Sequence, residues 1–65
     1  MAHFKPRYEV GDEVLRRCRD GIRLGRIVDV LPVVVGRPTV YQVRVGMVTH
    51  IEDENNLRPA VRRTA

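Results

Sequence analysis

Thr39-Val40-Tyr41-Gln42-Val43-Arg44-Val45 alternates apolar and polar side chains, which sets Tyr41, Val43 and Val45 on one face of an extended segment and Gln42 and Arg44 on the other. This predicts a half-buried strand. Downstream, Gly46 turns the chain into a second apolar run, Met47-Val48-Thr49-His50-Ile51, read as the next strand. Which of its faces points inward is left open by the pattern. Upstream, Gly36-Arg37-Pro38 marks a turn, and Pro32 stops an earlier strand, Arg26-Ile27-Val28-Asp29-Val30-Leu31, that opens after Gly25. Earlier still, Gly11-Asp12 precedes the run Val14-Leu15-Arg16-Arg17-Cys18-Arg19, the first strand. Asp20-Gly21 begins a polar loop to Leu24, with Ile22 and Leu24 as apolar lids. Glu52-Asp53-Glu54-Asn55-Asn56 suits one helical turn, after which Leu57 returns to the core and Pro59 closes the domain.

Composition agrees with this reading. Twelve valines and three isoleucines stand against four leucines, and no helical apolar stripe persists for three turns. The expected fold class is all-β. At 65 residues there is room for one small domain, with hydrophobic residues at 43% and charged residues at 31%, as in a globular chain. A chain this short buries only about 60% of the surface its unfolded form exposes, so its core is thin. Four to five short strands must then curl to hide their edges, which predicts a small barrel with a short helical turn before the last strand. The expected organisation is a flexible lead-in over 1–7, a barrel over 8–59 and a basic tail over 60–65. Tyr8 is placed at the exposed barrel mouth.

Lys and Arg number twelve, eleven of them Arg, against eight Asp and Glu, giving +4. The charge is uneven: +3 over 1–26, −2 over 27–57 and +3 over 58–65. Such a balance permits nucleic acid without requiring it, since a GC-rich coding sequence also favours arginine. Cys18 has no second cysteine to pair with, and neither His3 nor His50 stands at zinc-ligand spacing from it. That usage, with no long apolar run, leads to the expectation of a cytoplasmic protein without membrane insertion, metal or cofactor.

The segments Val10-Gly11-Asp12-Glu13-Val14, Gly25-Arg26-Ile27-Val28-Asp29-Val30, Tyr41-Gln42-Val43-Arg44-Val45 and Asn56-Leu57-Arg58-Pro59 resemble the SH3-like small barrels of the Tudor and KOW type. The resemblance spans roughly residues 8–59 and implies a fold rather than an activity. A weaker similarity, in length and in the stretch from Val10-Gly11-Asp12 to Gly25-Arg26-Ile27-Val28, is to the type II plasmid dihydrofolate reductases, which form a tetramer around one pore. Their pore strand carries a Val-Gln-Ile-Tyr run. Here the corresponding region reads Met47-Val48-Thr49-His50-Ile51, so the residues that activity needs are missing.

The leading functional expectation is a non-catalytic binding module that meets nucleic acid through Arg16, Arg17, Arg19, Arg23 and Arg26. Lys5, Arg7, Arg62 and Arg63 would extend the patch. The competing reading is a solvated face balanced by Asp12, Glu13 and Asp20. Only Phe4, Tyr8 and Tyr41 are aromatic, too few for a cage around a methylated cation. A second expectation, from another class, is a protein-interaction or self-assembling module using Val33, Val34 and Val35, and with it a homo-oligomer. His50 beside Glu52, Asp53 and Glu54 has the chemistry of a metal or acid–base site at unspecific spacing, and otherwise reads as a solvent-facing histidine. Cys18 reads as a structural thiol.

Overall fold

A computed structural model describes residues 6–60. Lys5, Arg62 and Arg63, and with them most of the expected lead-in and basic tail, lie outside the described residues. The chain forms β1 (Glu13–Cys18), β2 (Gly21–Val30), β3 (Val40–Val45), β4 (Val48–Asp53), a 3-10 turn η1 (Glu54–Asn56) and β5 (Leu57–Pro59). All five strands join one antiparallel sheet in the order β4-β3-β2-β1-β5. The fold is therefore all-β, with a short helical turn before the last strand, as expected.

Side chains directly opposite on antiparallel strands share a face, so the register assigns every strand an inside. Val14 lies opposite Gly25, Ile27 opposite Val43, and Leu57 opposite Arg16. Val14, Ile27, Tyr41, Val43 and Leu57 form the core with Tyr8, and each is essentially excluded from solvent. Burying a side chain of this size contributes roughly 1.5–3 kcal/mol, so six of them are most of what the domain has. β1 and β4 are three strand spacings apart in the sheet, about 14 Å if it were flat. Arg16 on β1 nevertheless reaches Glu52 on β4, with Nη2 2.6 Å from Oε2. The sheet has curled.

Two features of β2 make that curl. Gly25 packs against β3 so closely that a Cβ there would lie 2.8 Å from Val43 Cγ1, 3.0 Å from Val45 Cγ2 and 3.1 Å from the Arg44 carbonyl oxygen. Only glycine fits. Two residues on, Ile27 pairs with Val43 but Asp29 pairs with Gln42, so Val28 is an extra residue in a β-bulge. The bulge reverses the alternation: Ile27 and Val30 both face the core, and Asp29 is exposed.

Several boundaries differ from the sequence reading. β2 begins at Gly21 rather than Arg26, because the expected loop Asp20 to Leu24 contracts to a two-residue turn, Arg19-Asp20, between the paired residues Cys18 and Gly21. Neither turn residue takes a positive φ, and Gly21 supplies it at 131°. Ile22 and Leu24 are consequently strand residues on the convex face, 61% and 54% exposed, rather than lids. Glu52 and Asp53 extend β4, because they pair with Tyr41 and Val40 before η1 can start. The open parity of β4 resolves by register: Val48, His50 and Glu52 lie on the concave side, opposite Val45, Val43 and Tyr41.

Tyr8 is buried rather than exposed, its ring packed edge to face on Tyr41 at 5.4 Å and its hydroxyl donating to the Leu57 carbonyl. Val33, Val34 and Val35 lie in the unpaired connection between β2 and β3 and are exposed. The Val34 carbonyl accepts from the Arg37 amide at 3.1 Å, and Gly36 has φ of 84°, the pattern of a type II turn. Among the described residues no helix is long and apolar enough to cross a membrane.

Candidate nucleic-acid interface

The five arginines singled out in the sequence fall on the β1–β2 hairpin but not on one face. Arg16 and Arg23 are directly opposed on the concave side, where two like charges would repel. Each has its own acid. Arg16 donates Nε to Glu52 at 2.6 Å and Nη1 to the Cys18 sulfur at 3.1 Å. Burial works against its charge, but these hydrogen bonds and the Glu52 charge outweigh that and hold the guanidinium more firmly protonated than an ordinary arginine. Arg23 pairs with Asp20 at 2.5 Å, and its hydrogen bond keeps the Asp20 carboxyl below the usual range. Arg26 is on the convex side, 3.9 Å from Glu13. Arg17 is also convex, and Arg19 occupies the turn; neither has an acidic partner among the described residues.

A different grouping emerges around Arg17. Leu15, Arg17 and Ile22 lie on the convex face of the hairpin, and Arg58 joins them from β5 by pairing opposite Leu15. With Asn55 and Asn56 of η1 they line a hollow of about 480 Å³. A second hollow shares Leu15, Asn55 and Arg58 with the first and adds Arg7 and Glu54. Together they make one shallow cleft along β5, carrying Arg7, Arg17 and Arg58. None of these three is in an ion pair among the described residues. Their guanidinium charge is free to face a ligand, and the Asn55 and Asn56 amides add hydrogen-bonding groups beside it.

Arg7 is held at the end of this cleft through Tyr41. The Tyr41 hydroxyl accepts from the backbone amides of Arg7 at 3.0 Å and Tyr8 at 3.3 Å and donates to Glu54 Oε2 at 3.1 Å. Burial, followed by the hydrogen bond to Glu54, raises the Tyr41 pKa despite the opposing backbone donors. The entry and exit of the barrel are thus tied at one phenol. The sequence pattern points to Arg7 only as an extension of the patch and does not point to Arg58. Their meeting with Arg17 depends on β5 pairing with β1, which no local pattern announces.

His50 lies half-buried on β4, and no group of three or more metal-ligating side chains occurs among the described residues. Comparison with protein-family models, with curated proteins and with solved structures returns no match for this chain.

Proposed function

We propose that this protein is a non-catalytic binding module of the SH3-like small-barrel type that holds nucleic acid by its phosphate backbone, at the cleft of Arg7, Arg17 and Arg58. The observation that carries the proposal is that three arginines that make no ion pair among the described residues line one cleft beside two asparagine amides. Arginine is the side chain whose planar fork suits phosphate oxygens best. Arg19, exposed at the hairpin tip, extends the track, whereas Arg16 and Arg23 mainly serve the fold because their charges are met by Glu52 and Asp20. Tyr8 and Tyr41 are both buried and offer no stacking surface, so contacts to phosphate outweigh contacts to bases.

The test is a titration with labelled duplex DNA, single-stranded DNA and RNA across a salt series. Binding weakens with salt, and Arg17→Ala and Arg58→Ala each lower the affinity and reduce the log–log slope by about 1. Arg37→Ala removes the same charge from an exposed turn away from the cleft and leaves the slope unchanged. Equal effects from all three variants would reduce the cleft to a general charge effect, and no binding at low salt would end the proposal.

A second reading rests on the exposed loop: Val33, Val34 and Val35 are 41%, 56% and 75% accessible in succession, an apolar surface suited to a protein partner.

A further inference from the structure

The two edges of the sheet are built differently. β5 is three residues long and contains Pro59, both devices that discourage further strand pairing. β4 has neither. It runs for six residues without proline or lysine, and among the described residues no strand covers its outer side. Its hairpin also exposes apolar side chains: Met47 at 91%, Val48 at 56% and Ile51 at 66%.

The hairpin turn fixes which backbone groups of β4 are unused. Gly46-Met47 is a two-residue loop with φ of 61° at Gly46 and no positive φ at Met47, the II′ pattern, which bonds the Val48 amide to the Val45 carbonyl. Backbone groups then alternate along the strand: those of Val48, His50 and Glu52 turn toward β3, and those of Thr49 and Ile51, with the Asp53 amide, turn to the open edge, the Asp53 carbonyl being taken up as the cap of η1. A two-fold pairing of β4 with another β4 must place some residue opposite itself. With Ile51 at the centre, the two Ile51 residues exchange both backbone hydrogen bonds, and Thr49 falls opposite Asp53 of the second copy, whose amide meets the Thr49 carbonyl.

The same register sets His50 opposite the second copy's Glu52, twice, on the concave side where both residues lie. Ile51 meets its own copy on the convex side. Glu52 already accepts from Arg16 and Asn56, but a carboxylate has about four lone-pair sites, leaving capacity for an imidazole N–H. A register centred on His50 would instead put Val48 against Glu52 and the two histidines against each other. Of these two registers, the one centred on Ile51 sets an imidazole against a carboxylate.

We infer that the protein forms a two-fold homodimer by antiparallel addition of β4 to β4, centred on Ile51, which joins two five-stranded sheets into one of ten. This surface is separate from the cleft proposed above, whose lining includes no β4 residue.

Sedimentation equilibrium of the full chain tests it. The wild type sediments as a dimer, and Ile51→Lys or Thr49→Pro makes it monomeric at the same concentration with an unchanged circular dichroism spectrum. Both substitutions suit an exposed edge strand, since the Thr49 amide faces away from β3. The register is read separately by disulfide trapping in a Cys18→Ser background. Opposed Ile51 Cα atoms would be about 5.5 Å apart, inside the disulfide range, so Ile51→Cys links into a dimer on oxidation and Thr49→Cys does not. A monomeric wild type would overturn the inference. So would a dimer that survives both edge variants, equal cross-linking of the two cysteine variants, or dissociation by Val34→Asp alone.

Discussion

Tyr41 shows how much one residue carries in a chain this short. Its ring is fully buried among Val14, Ile27, Val43 and Tyr8, while its hydroxyl joins the Arg7 and Tyr8 amides to Glu54. Tyr41→Phe preserves the ring and removes the hub, leaving two backbone donors and a carboxylate without it. A cost on the order of 1–3 kcal/mol is expected, read as a lower midpoint in urea at unchanged slope. Arg7 loses its anchor at the same time, so under the proposed function nucleic-acid affinity is expected to fall as well. A pH series separates the hydroxyl from the ring. Because the folded-state pKa lies above that of the unfolded chain, the contribution is complete below about pH 10 and is lost as pH rises through the folded value. Wild type should therefore lose stability on the alkaline side more steeply than Tyr41→Phe. The sequence placed this side chain in the core through its alternation with Val43 and Val45. It could not show what the phenol would hold, because Arg7 and Glu54 are 34 and 13 positions away.

Among the elements, β3 was the most legible and β2 the least. Every residue of β3 keeps the alternation its sequence displays, because the strand is central and half-buried along its whole length. β2 pairs with β1 over its first half and with β3 over its second, so one strand belongs to both walls of the curl. The pattern Ile27-Val28-Asp29-Val30 would bury Asp29 if read with strict alternation; the bulge at Val28 prevents this, and a bulge leaves no reliable mark in a single sequence. The sequence pattern puts Gly25 at the start of the strand, whereas it is the point where β2 touches β3. Gly25→Ala tests the contact: the new Cβ meets the branched Val43 side chain and the Arg44 backbone, neither of which yields cheaply. A loss of about 1–3 kcal/mol is expected in thermal or denaturant unfolding, against a gain for glycine-to-alanine changes at unobstructed sites. The candidate site was legible to a similar extent. Arg17 and Arg19 came from the sequence directly, but the pairing of Arg16 with Glu52 and the arrival of Arg58 beside Leu15 are consequences of curl and strand order.

At the scale of the whole molecule, the cleft and the β4 edge have complementary consequences. β1, β2, β5 and η1 supply the cleft lining with Arg7, and β4 supplies the edge, so occupation of one leaves the other's side chains uncommitted. A β4–β4 dimer would carry two such clefts related by a two-fold axis. A single protomer offers at the cleft three arginines that make no ion pair among the described residues, few phosphate contacts for the proposed ligand, whose affinity would grow with their number. Two clefts on one particle convert the second contact into an intramolecular one, raising apparent affinity by a factor of about 10² or more when the ligand spans both. Length dependence of binding therefore tests the combination. Wild type should prefer a long duplex over one too short to reach both clefts, beyond the statistical gain in sites. Ile51→Lys should lose that preference while binding the short duplex as wild type does. Arg58→Ala should weaken both ligands and remain dimeric. If Ile51→Lys weakened the short duplex too, the β4 edge would belong to the binding surface itself; if the length preference survived in a monomeric variant, the two clefts would be acting independently.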